Sequence, residues 1–180
     1  MERKHVSTLS EQTVKIPGTG TYHLDPSRSS MTFATRHMFG LGKVTGTFTL
    51  TDGELVISEP TTSSTVTARA AANSFDTSNS QRDKHVKSKT FLDAANHPHL
   101  SFRSTEVIRH DRGWTLRGRL TVRANSAPID FLIAEFKVNG SEVSIRATAR
   151  VDRYAHGITR LKGMAARYLD IELRAEFRPV

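Results

Sequence analysis

Residues 142–152 read EVSIRATARVD and alternate strictly between apolar and polar side chains. In an extended chain, one face of this stretch carries only apolar groups, those of Val143, Ile145, Ala147, Ala149 and Val151. The opposite face carries charged and hydroxylated groups. A period of two is typical of a β-strand that buries one face and leaves the other in water. The stretch therefore predicts a strand of an antiparallel sheet with one solvated face.

The same alternation recurs along most of the chain. Four further stretches show it: KVTGTFTLT (43–51), TVTARAA (65–71), GWTLRGRLTVRA (113–124) and YLDIELRAEF (168–177). Less regular strands are expected at 30–38, 99–108 and 128–138, which makes about eight strands in all. The pairs Asp52-Gly53 and Asn139-Gly140 favour the positive φ of tight hairpins, so we expect neighbouring strands to run antiparallel.

An antiparallel meander of this size closes most simply into an up-and-down barrel, because closure leaves no exposed sheet edge. We therefore predict a mainly-β, single-domain, eight-stranded antiparallel barrel over residues 19–180. A flexible N-terminal tail is expected over residues 1–18, which are largely polar. Two packed sheets are the structural alternative.

The predicted inward face contains many small residues. They are Gly46, Ala68, Ala70, Gly118, Ala147, Ala149 and Ala175. A barrel of eight strands is just wide enough to be filled by side chains or to hold one small ligand. The small residues favour a narrow apolar tunnel with room for a ligand. The alternative is a filled barrel in which small residues mark the tapered ends.

Composition narrows the chemistry. The chain has no cysteine, which excludes disulfides, cysteine-ligated metals and thiol catalysis. Its formal net charge of +8 suits an anionic partner such as a phosphate headgroup, a membrane surface or nucleic acid, or simply a soluble basic surface. Because the basic residues are spread along the chain, we expect no nucleic-acid partner. No stretch is long and apolar enough to span a membrane and the N-terminus lacks an apolar signal core, so we expect a cytoplasmic protein.

One segment, residues 79–98 (NSQRDKHVKSKTFLDAANHP), interrupts the alternation. Ser80 and Asp83 have the spacing of a helix N-terminus, with Ser80 as the cap. Lysines follow toward the other end, where they interact favourably with the helix dipole, and Pro98 favours extended backbone. We therefore expect a short helix across one end of the barrel.

The same segment offers little for catalysis or metal binding. His97 and His99 have strand spacing, but Pro98 lies between them and no acidic residue or third histidine is near in sequence. No nucleophile motif is present, and acid–base chemistry by His85 and Asp83 has no further support. We expect no metal, no cofactor and no enzymatic activity.

Two stretches are similar to a known family. Residues 74–105, SFDTSNSQRDKHVKSKTFLDAANHPHLSFRST, resemble the signature of the YceI family of lipocalin-like isoprenoid-binding proteins. Residues 22–48, YHLDPSRSSMTFATRHMFGLGKVTGTF, resemble the family's N-terminal run of Tyr, Asp-Pro, Phe, His-Met and Val-x-Gly-x-Phe. One departure is Arg28, where the family usually has histidine, and it bears on the headgroup preference.

The resemblance implies a lipocalin-like barrel with a helix at its end. It also implies a tunnel for a long apolar chain, such as a polyprenyl pyrophosphate, an isoprenoid quinone or a fatty amide. The leading hypothesis is thus non-enzymatic binding, storage or transport of an amphiphilic isoprenoid or acyl lipid. A transient membrane contact and a homodimer stay open. Two other hypotheses are an enzyme that acts on a lipid or quinone through His37 or His85, and a basic nucleic-acid-interacting stress module.

Two groups of residues are candidates for lipid binding. The predicted tunnel wall comprises Phe33, Phe39, Phe48, Phe102, Trp114, Leu116 and Ile171. The predicted headgroup or mouth residues are His37, Arg82, His85 and Arg153. For each polar candidate the alternative is a role in the fold: the Arg82–Asp83 pair would hold the helix, and His37 would be a hydrogen-bonded core histidine.

Overall fold

The computed structural model describes residues 17–37, 40–111 and 113–180, and at His37 it describes the backbone alone. The predicted tail thus lies outside the described residues except for positions 17 and 18, and its bounds stay a prediction. The strands are β1 Gly20–Leu24, β2 Ser30–His37, β3 Gly42–Phe48, β4 Leu50–Ile57, β5 Thr65–Ala71, β6 His99–His110, β7 Gly113–Val122, β8 Asn125–Asn139, β9 Glu142–Asp152 and β10 Tyr168–Pro179. The helix α1 spans Ser80–Lys87. In these ranges no helix has both the length and the apolar character to cross a bilayer.

Eight strands form a closed ring in the order β1-β4-β5-β6-β7-β8-β9-β10, and β10 pairs again with β1. All of these pairings are antiparallel. The β2–β3 hairpin adds to the same sheet because β2 pairs with β10 over Asp170–Arg174, just before the Phe177–Pro179 segment that pairs with β1. The closed antiparallel barrel with one helix confirms the predicted fold class.

The period-two pattern correctly assigns the buried face of the most regular strands. In β9, Val143, Ala147 and Ala149 are buried while their neighbours Arg146 and Thr148 are exposed. Burying one apolar face and hydrating the other is what stabilises such a strand in a closed sheet. The long core cluster inside the ring follows from this arrangement.

One predicted turn is wrong. Asp52 and Gly53 lie inside β4, which pairs with β5 through a register shift between Leu50 and Asp52. Gly53 is buried, and a Cβ built there would lie 2.8 Å from the carbonyl oxygen of Thr67. Gly53 therefore does not form a hairpin turn. It allows the backbones of β4 and β5 to approach closely beside a β-bulge. At the other predicted turn, Gly140 has a φ of +64° and joins β8 to β9 as expected.

The helix forms where expected but has a different cap. The side chain of Asn79 accepts a hydrogen bond from the backbone N–H of Arg82 at 2.9 Å, and Ser80 is the first helical residue. The prediction of Ser80 as the cap was wrong by one residue, since asparagine is an equally good N-cap. Asp83, in the first turn, is buried.

The segment that carries α1 closes one end of the barrel. Before the helix, Asp76 exchanges two backbone hydrogen bonds with Thr47 of β3, of 2.9 and 3.1 Å. The ring of Phe75 stacks on Phe33 of β2 with centroids 5.2 Å apart. We call this the helix end of the barrel: α1, the β2–β3 hairpin and the loop over residues 153–167 that leads into β10.

Candidate functional site

The described residues line two apolar cavities inside the barrel. The barrel cavity, of about 50 Å³, lies between strands and is lined by side chains that include Leu24, Phe102, Leu116, Phe131, Ile145 and Phe177. The helix-end cavity, of about 160 Å³, is lined by side chains that include Phe33, Phe48, Phe91, Leu92, Ile158 and Leu169. Each is smaller than the roughly 300–1,000 Å³ of common ligand pockets, so the interior is largely filled by side chains.

A layer of large side chains separates the two cavities. On β10, Leu169 lines the helix-end cavity and Leu173 lines the barrel cavity, while the buried Ile171 lies between them. Phe33 pairs with Ile171 across the sheet and is 3% exposed. The rings of Phe33 and Phe48 lie 5.8 Å apart and extend this layer across the interior. A chain that entered both cavities would have to displace these groups.

Two of the small residues do not widen the interior. A Cβ built on Gly46 would lie 2.5 Å from Cζ of Phe33, and one built on Gly118 would lie 2.5 Å from Cε2 of Phe102. In each case the missing side chain makes room for a phenylalanine ring of the adjacent strand. At these two positions the expectation of extra ligand space was wrong, because glycine and phenylalanine pack as a complementary pair.

The candidates for the tunnel wall fall into three groups. Phe102 and Leu116 line the barrel cavity, whereas Phe33 and Phe48 line the helix-end cavity, with Ile171 between the two. Phe39 lies outside the described residues. Trp114 lies at the hairpin end of β7, where the guanidinium of Arg109 is 5.7 Å from its ring, and it lines neither described cavity.

The helix-end cavity differs from the barrel cavity in its charged groups. Three arginines, Arg36, Arg82 and Arg153, are among its lining residues, and no carboxylate is among the described ones. The barrel cavity, by contrast, is lined by hydrocarbon side chains alone. A polar ligand group that accepts hydrogen bonds would therefore be favoured at the helix end and disfavoured deeper in the barrel.

Arg153 is the most buried of these arginines, with 6% of the residue exposed. Its Nε and two Nη atoms donate to the backbone carbonyls of Ala166, Ile158 and Ala165 at 2.7, 2.6 and 2.9 Å. Burial lowers the pKa of the Arg153 guanidinium from its usual value. Three of its five N–H groups thus have partners among the described residues, and the guanidinium both orders the loop and faces the cavity.

Arg82 reaches the same cavity from α1. Its Nε donates to Oγ1 of Thr77 at 2.7 Å, and the N–H and O–H of Thr77 both donate to the buried carboxylate of Asp83, at 3.0 and 2.5 Å. Although burial opposes ionisation, the hydrogen bonds from Thr77 hold the pKa of Asp83 below its usual value. The fold-supporting hydrogen bonds of Arg82 thus go to Thr77, which links it to Asp83 in place of the predicted direct pair, and Arg82 also lines the cavity.

The histidine candidates do not join this cluster. His85 is exposed and packs edge-on against Phe91, with ring centroids 5.2 Å apart. The side chain of His37 lies outside the described residues. His97 faces Asp93, four residues earlier, at 3.9 Å within a turn, so the expectation that no acidic residue lies near it was wrong. Across residues 17–37, 40–111 and 113–180, no group of three histidine, aspartate or glutamate side chains has the geometry to hold a metal ion.

Arg28, the departure from the family pattern, lies away from the cavities. Its Nη1 donates to Glu142 at the start of β9 at 2.8 Å, and its Nη2 lies 4.0 Å from Glu176. Both partners belong to the end of the barrel opposite α1. The position is therefore part of a half-exposed surface ion-pair cluster and lines neither described cavity.

Several lining residues were missed from the sequence. Arg36 lies on β2 with an outward-facing pattern, and Phe75, Leu92 and Ile158 come from segments without periodicity. For Leu92 the sequence signal was its place in the mostly polar interruption, because an apolar side chain in a polar segment needs a surface to pack against. Alternation alone gives no face to an irregular segment.

A third concavity, of about 1,270 Å³, lies on the outer face of the sheet. It is open and includes the ion pairs Arg117–Asp130 and Arg150–Asp170, with N···O distances of 3.0 and 2.7 Å. Paired charges beside open water do not favour an apolar chain. The two inner cavities are thus the better candidates for an amphiphile.

Solved structures share this architecture. BcnA of Burkholderia cenocepacia superposes with a TM-score of 0.73 at 15% identity, over 85% of this chain and 98% of that chain. A protein described as a polyisoprenoid binding domain from Saccharophagus degradans, implicated in plant cell wall breakdown, gives a TM-score of 0.68 at 10% identity, over 91% and 100% of the two chains. At such low identities these likenesses establish the fold.

Sequence comparison establishes the family. A UPF0312 protein of Vibrio cholerae is 30% identical over 158 residues, which cover 83% of this chain and 82% of the relative. The family model described as YceI-like domain matches residues 22–177. These matches confirm the resemblance of the two motif stretches. Since the match extends over nearly the whole length, the chain belongs to the YceI-like family.

Proposed function

We propose that this protein is a non-enzymatic carrier or store of a long amphiphilic lipid, with the apolar chain inside the barrel and the headgroup at the helix end. Candidate ligands are a polyprenyl pyrophosphate, an isoprenoid quinone or a fatty amide. The observation that carries the proposal is the buried guanidinium of Arg153, which lines a cavity whose other lining residues are mostly apolar.

The distribution of polarity supports an amphiphile. A buried cation without a carboxylate in the same cavity is costly, and a headgroup oxygen would compensate part of that cost. Arg82 reaches the cavity from α1, and Arg153 reaches it from the loop before β10. A pyrophosphate would accept charge-assisted hydrogen bonds from them, and a quinone or amide carbonyl would accept weaker ones. The polyisoprenoid-binding description of the Saccharophagus neighbour agrees with the same ligand class.

Binding a long chain requires the interior to rearrange. The chain would enter the helix-end cavity first and reach the barrel cavity only after Phe33 and Ile171 had moved. Burial of the lipid's hydrocarbon contributes about 25 cal/mol per Å², less the cost of displacing these side chains and ordering the lipid. A lipid long enough to fill both cavities is therefore favoured over a short one.

The enzyme hypothesis has weaker support. His85, its described acid–base candidate, is exposed and contacts Phe91 instead of a cavity or a carboxylate. A general base needs to lie within hydrogen-bonding reach of the reacting group. The geometry therefore supports binding better than turnover.

Native mass spectrometry tests the proposal. The purified protein is measured as isolated, its lipids are extracted, and it is then incubated with geranylgeranyl pyrophosphate, a ubiquinone or oleamide. We expect one lipid to bind per chain, and we expect Arg82→Met to weaken binding of the pyrophosphate about tenfold. Lys84→Met, which removes an exposed cation from the same helix, is the matched control and should bind like the wild type. A protein that retains and takes up no isoprenoid or acyl lipid would contradict the proposal.

A further inference from the structure

Exposed apolar side chains concentrate at the helix end. Four large apolar residues there are 44–88% exposed: Leu41, Leu161, Met164 and Tyr168. We call them the docking patch. The segments that carry them are joined by hydrogen bonds from Ala166 N–H to the Arg36 carbonyl at 3.0 Å and from the Thr35 hydroxyl to the Tyr168 carbonyl at 2.8 Å. The patch is thus one surface built from two neighbouring segments, and a cluster of this kind marks an interaction site.

Leu161 carries a second, independent sign. Its φ of +53° lies in the left-handed region, which leucine rarely adopts, and the residue is 45% exposed. Asparagine or glycine would fit this backbone at lower cost and would also expose no hydrocarbon. A residue that is unfavourable for folding on both grounds points to a role outside the fold.

Cations surround the docking patch. Arg36, Lys43, Arg160 and Lys162 are exposed on the same two segments. Residues 36–43 and 159–168 contain no aspartate or glutamate. The Nζ of Lys162 and the guanidinium of Arg167 also lie 5.4 and 5.2 Å from the ring of Tyr154, and the nearby Asp152 binds Arg167. The surface is therefore apolar at its tips and positively charged around them.

We propose that this surface docks the helix end of the barrel onto an anionic lipid bilayer. Leucine and methionine side chains at loop tips insert into the boundary between headgroups and acyl chains, and the flanking cations bind anionic headgroups. A nucleic acid would match the charge but would gain little from the exposed leucines. Arg36, Ala165 and Ala166 line the helix-end cavity, so docking places the cavity mouth at the membrane surface. A role of this docking in lipid uptake rests on the proposed function, whereas the docking itself does not depend on it.

Vesicle flotation tests the docking. The protein is mixed with vesicles of phosphatidylcholine alone or of phosphatidylcholine with phosphatidylglycerol, and the floated fraction is measured against salt. We expect binding to the anionic vesicles only, weakening as salt rises. Arg160→Gln with Lys162→Gln should lower the partition coefficient about fivefold for each cation removed, and Leu41→Ser with Met164→Ser should lower it about tenfold or more.

Matched controls lie elsewhere on the barrel. Leu132→Ser removes a leucine that is 58% exposed on β8, and Arg103→Gln with Arg109→Gln removes two exposed cations from β6. All three residues lie outside the docking patch, so these variants should float like the wild type. Equal losses in the control and patch variants would overturn the proposal.

Leu161→Asn separates docking from folding. Because asparagine tolerates the left-handed backbone, we expect its Tm to rise by about 2–4 °C while flotation falls about tenfold. A rise in Tm with unchanged flotation would overturn the role of Leu161 in docking. Sedimentation without vesicles identifies another occupant: a dimer that the patch substitutions dissociate would overturn the bilayer in favour of a second copy of this chain.

The docking and the lipid carriage fail separately. Native mass spectrometry with geranylgeranyl pyrophosphate needs no bilayer, so patch variants should take up this lipid like the wild type. Normal uptake with wild-type flotation in the patch variants would overturn the docking alone. Flotation that depends on the patch, with no uptake of any lipid, would support the docking and contradict only the proposed function.

Discussion

The barrel cavity and the helix-end cavity share one interior but are built from different parts. The described residues that line the barrel cavity all lie on strands and all have hydrocarbon side chains. A helix, a hairpin and a loop line the helix-end cavity and bring three arginines to it. A closed sheet offers hydrocarbon inside because alternation gives every strand one apolar face, whereas polar groups with a fixed direction come from segments at its end. Under the proposed function, the lipid chain would reach the first cavity and the headgroup would lie at the second.

The largest expected effect concerns Arg153 at the helix end. Arg153→Leu leaves the carbonyls of Ile158, Ala165 and Ala166 without their donor, so we expect the free energy of unfolding to fall by about 3 kcal/mol. Urea unfolding followed by fluorescence measures it. Arg150→Leu, three residues earlier at an exposed position of β9 that is paired with Asp170, should leave the midpoint nearly unchanged. A similar small loss for Arg153→Leu would show that its guanidinium does not order the loop.

The next effect concerns the barrel cavity. Gly118→Ala places a methyl group against the ring of Phe102 and the nearby backbone, so we expect a loss of about 1–3 kcal/mol in the free energy of unfolding. Phe102→Leu in the same chain should recover part of that loss, because the smaller side chain vacates the space. Thermal unfolding of both variants tests this. If the single variant Gly118→Ala were as stable as the wild type, the interior would have room for the added methyl group, and the prediction would be wrong.

The packing of Gly118 against Phe102 shows what the sequence can and cannot predict. The period of two in β9 and β10 predicts which residues face inward, because a strand has only two faces. It does not predict that Gly118 accommodates Phe102, since cross-strand neighbours depend on register. The Asp52-Gly53 pair has the composition of a turn, yet tertiary packing places it in β4.

The candidate site was predictable only in part, because a sequence pattern gives local information. Arg82 lies in a family motif and Arg153 was a predicted mouth residue, and the structure brings both to the helix-end cavity. Trp114 matched the alternation but lies at a hairpin end beside Arg109. Arg36 and Phe75 went unnoticed because contacts between distant segments leave no local pattern.

A smaller expected effect is the pH dependence of the free energy of unfolding that Asp83 contributes at the helix end. The folded-state pKa of Asp83 is lowered, so its ionised form stabilises the fold at neutral pH and this contribution is lost as pH falls through the acidic range. Asp83→Asn should cost about 1 kcal/mol near pH 7. The difference from the wild type should shrink below about pH 4. Urea unfolding across pH checks this, with the exposed Asp52→Asn as control; a difference that stays constant with pH would refute it.

The smallest expected effect is at the opposite end of the barrel. Arg28→His restores the residue usual in the family and removes an exposed ion pair with Glu142. We expect little change in stability and none in the affinity for geranylgeranyl pyrophosphate, because Arg28 contacts neither cavity. Titration calorimetry compares the two affinities. A clear change in affinity would indicate that the headgroup binds near Arg28 and not at the helix end.

The most direct test of the central claim is a crystal structure of the protein with geranylgeranyl pyrophosphate bound. We expect pyrophosphate oxygens within hydrogen-bonding distance of Arg82 or Arg153, and an isoprenoid chain that passes a displaced Phe33 to contact Phe102 and Leu116. A headgroup at the end of the barrel near Arg28 would contradict the proposed function. So would a lipid bound in the concavity on the outer face of the sheet, with the two inner cavities unchanged.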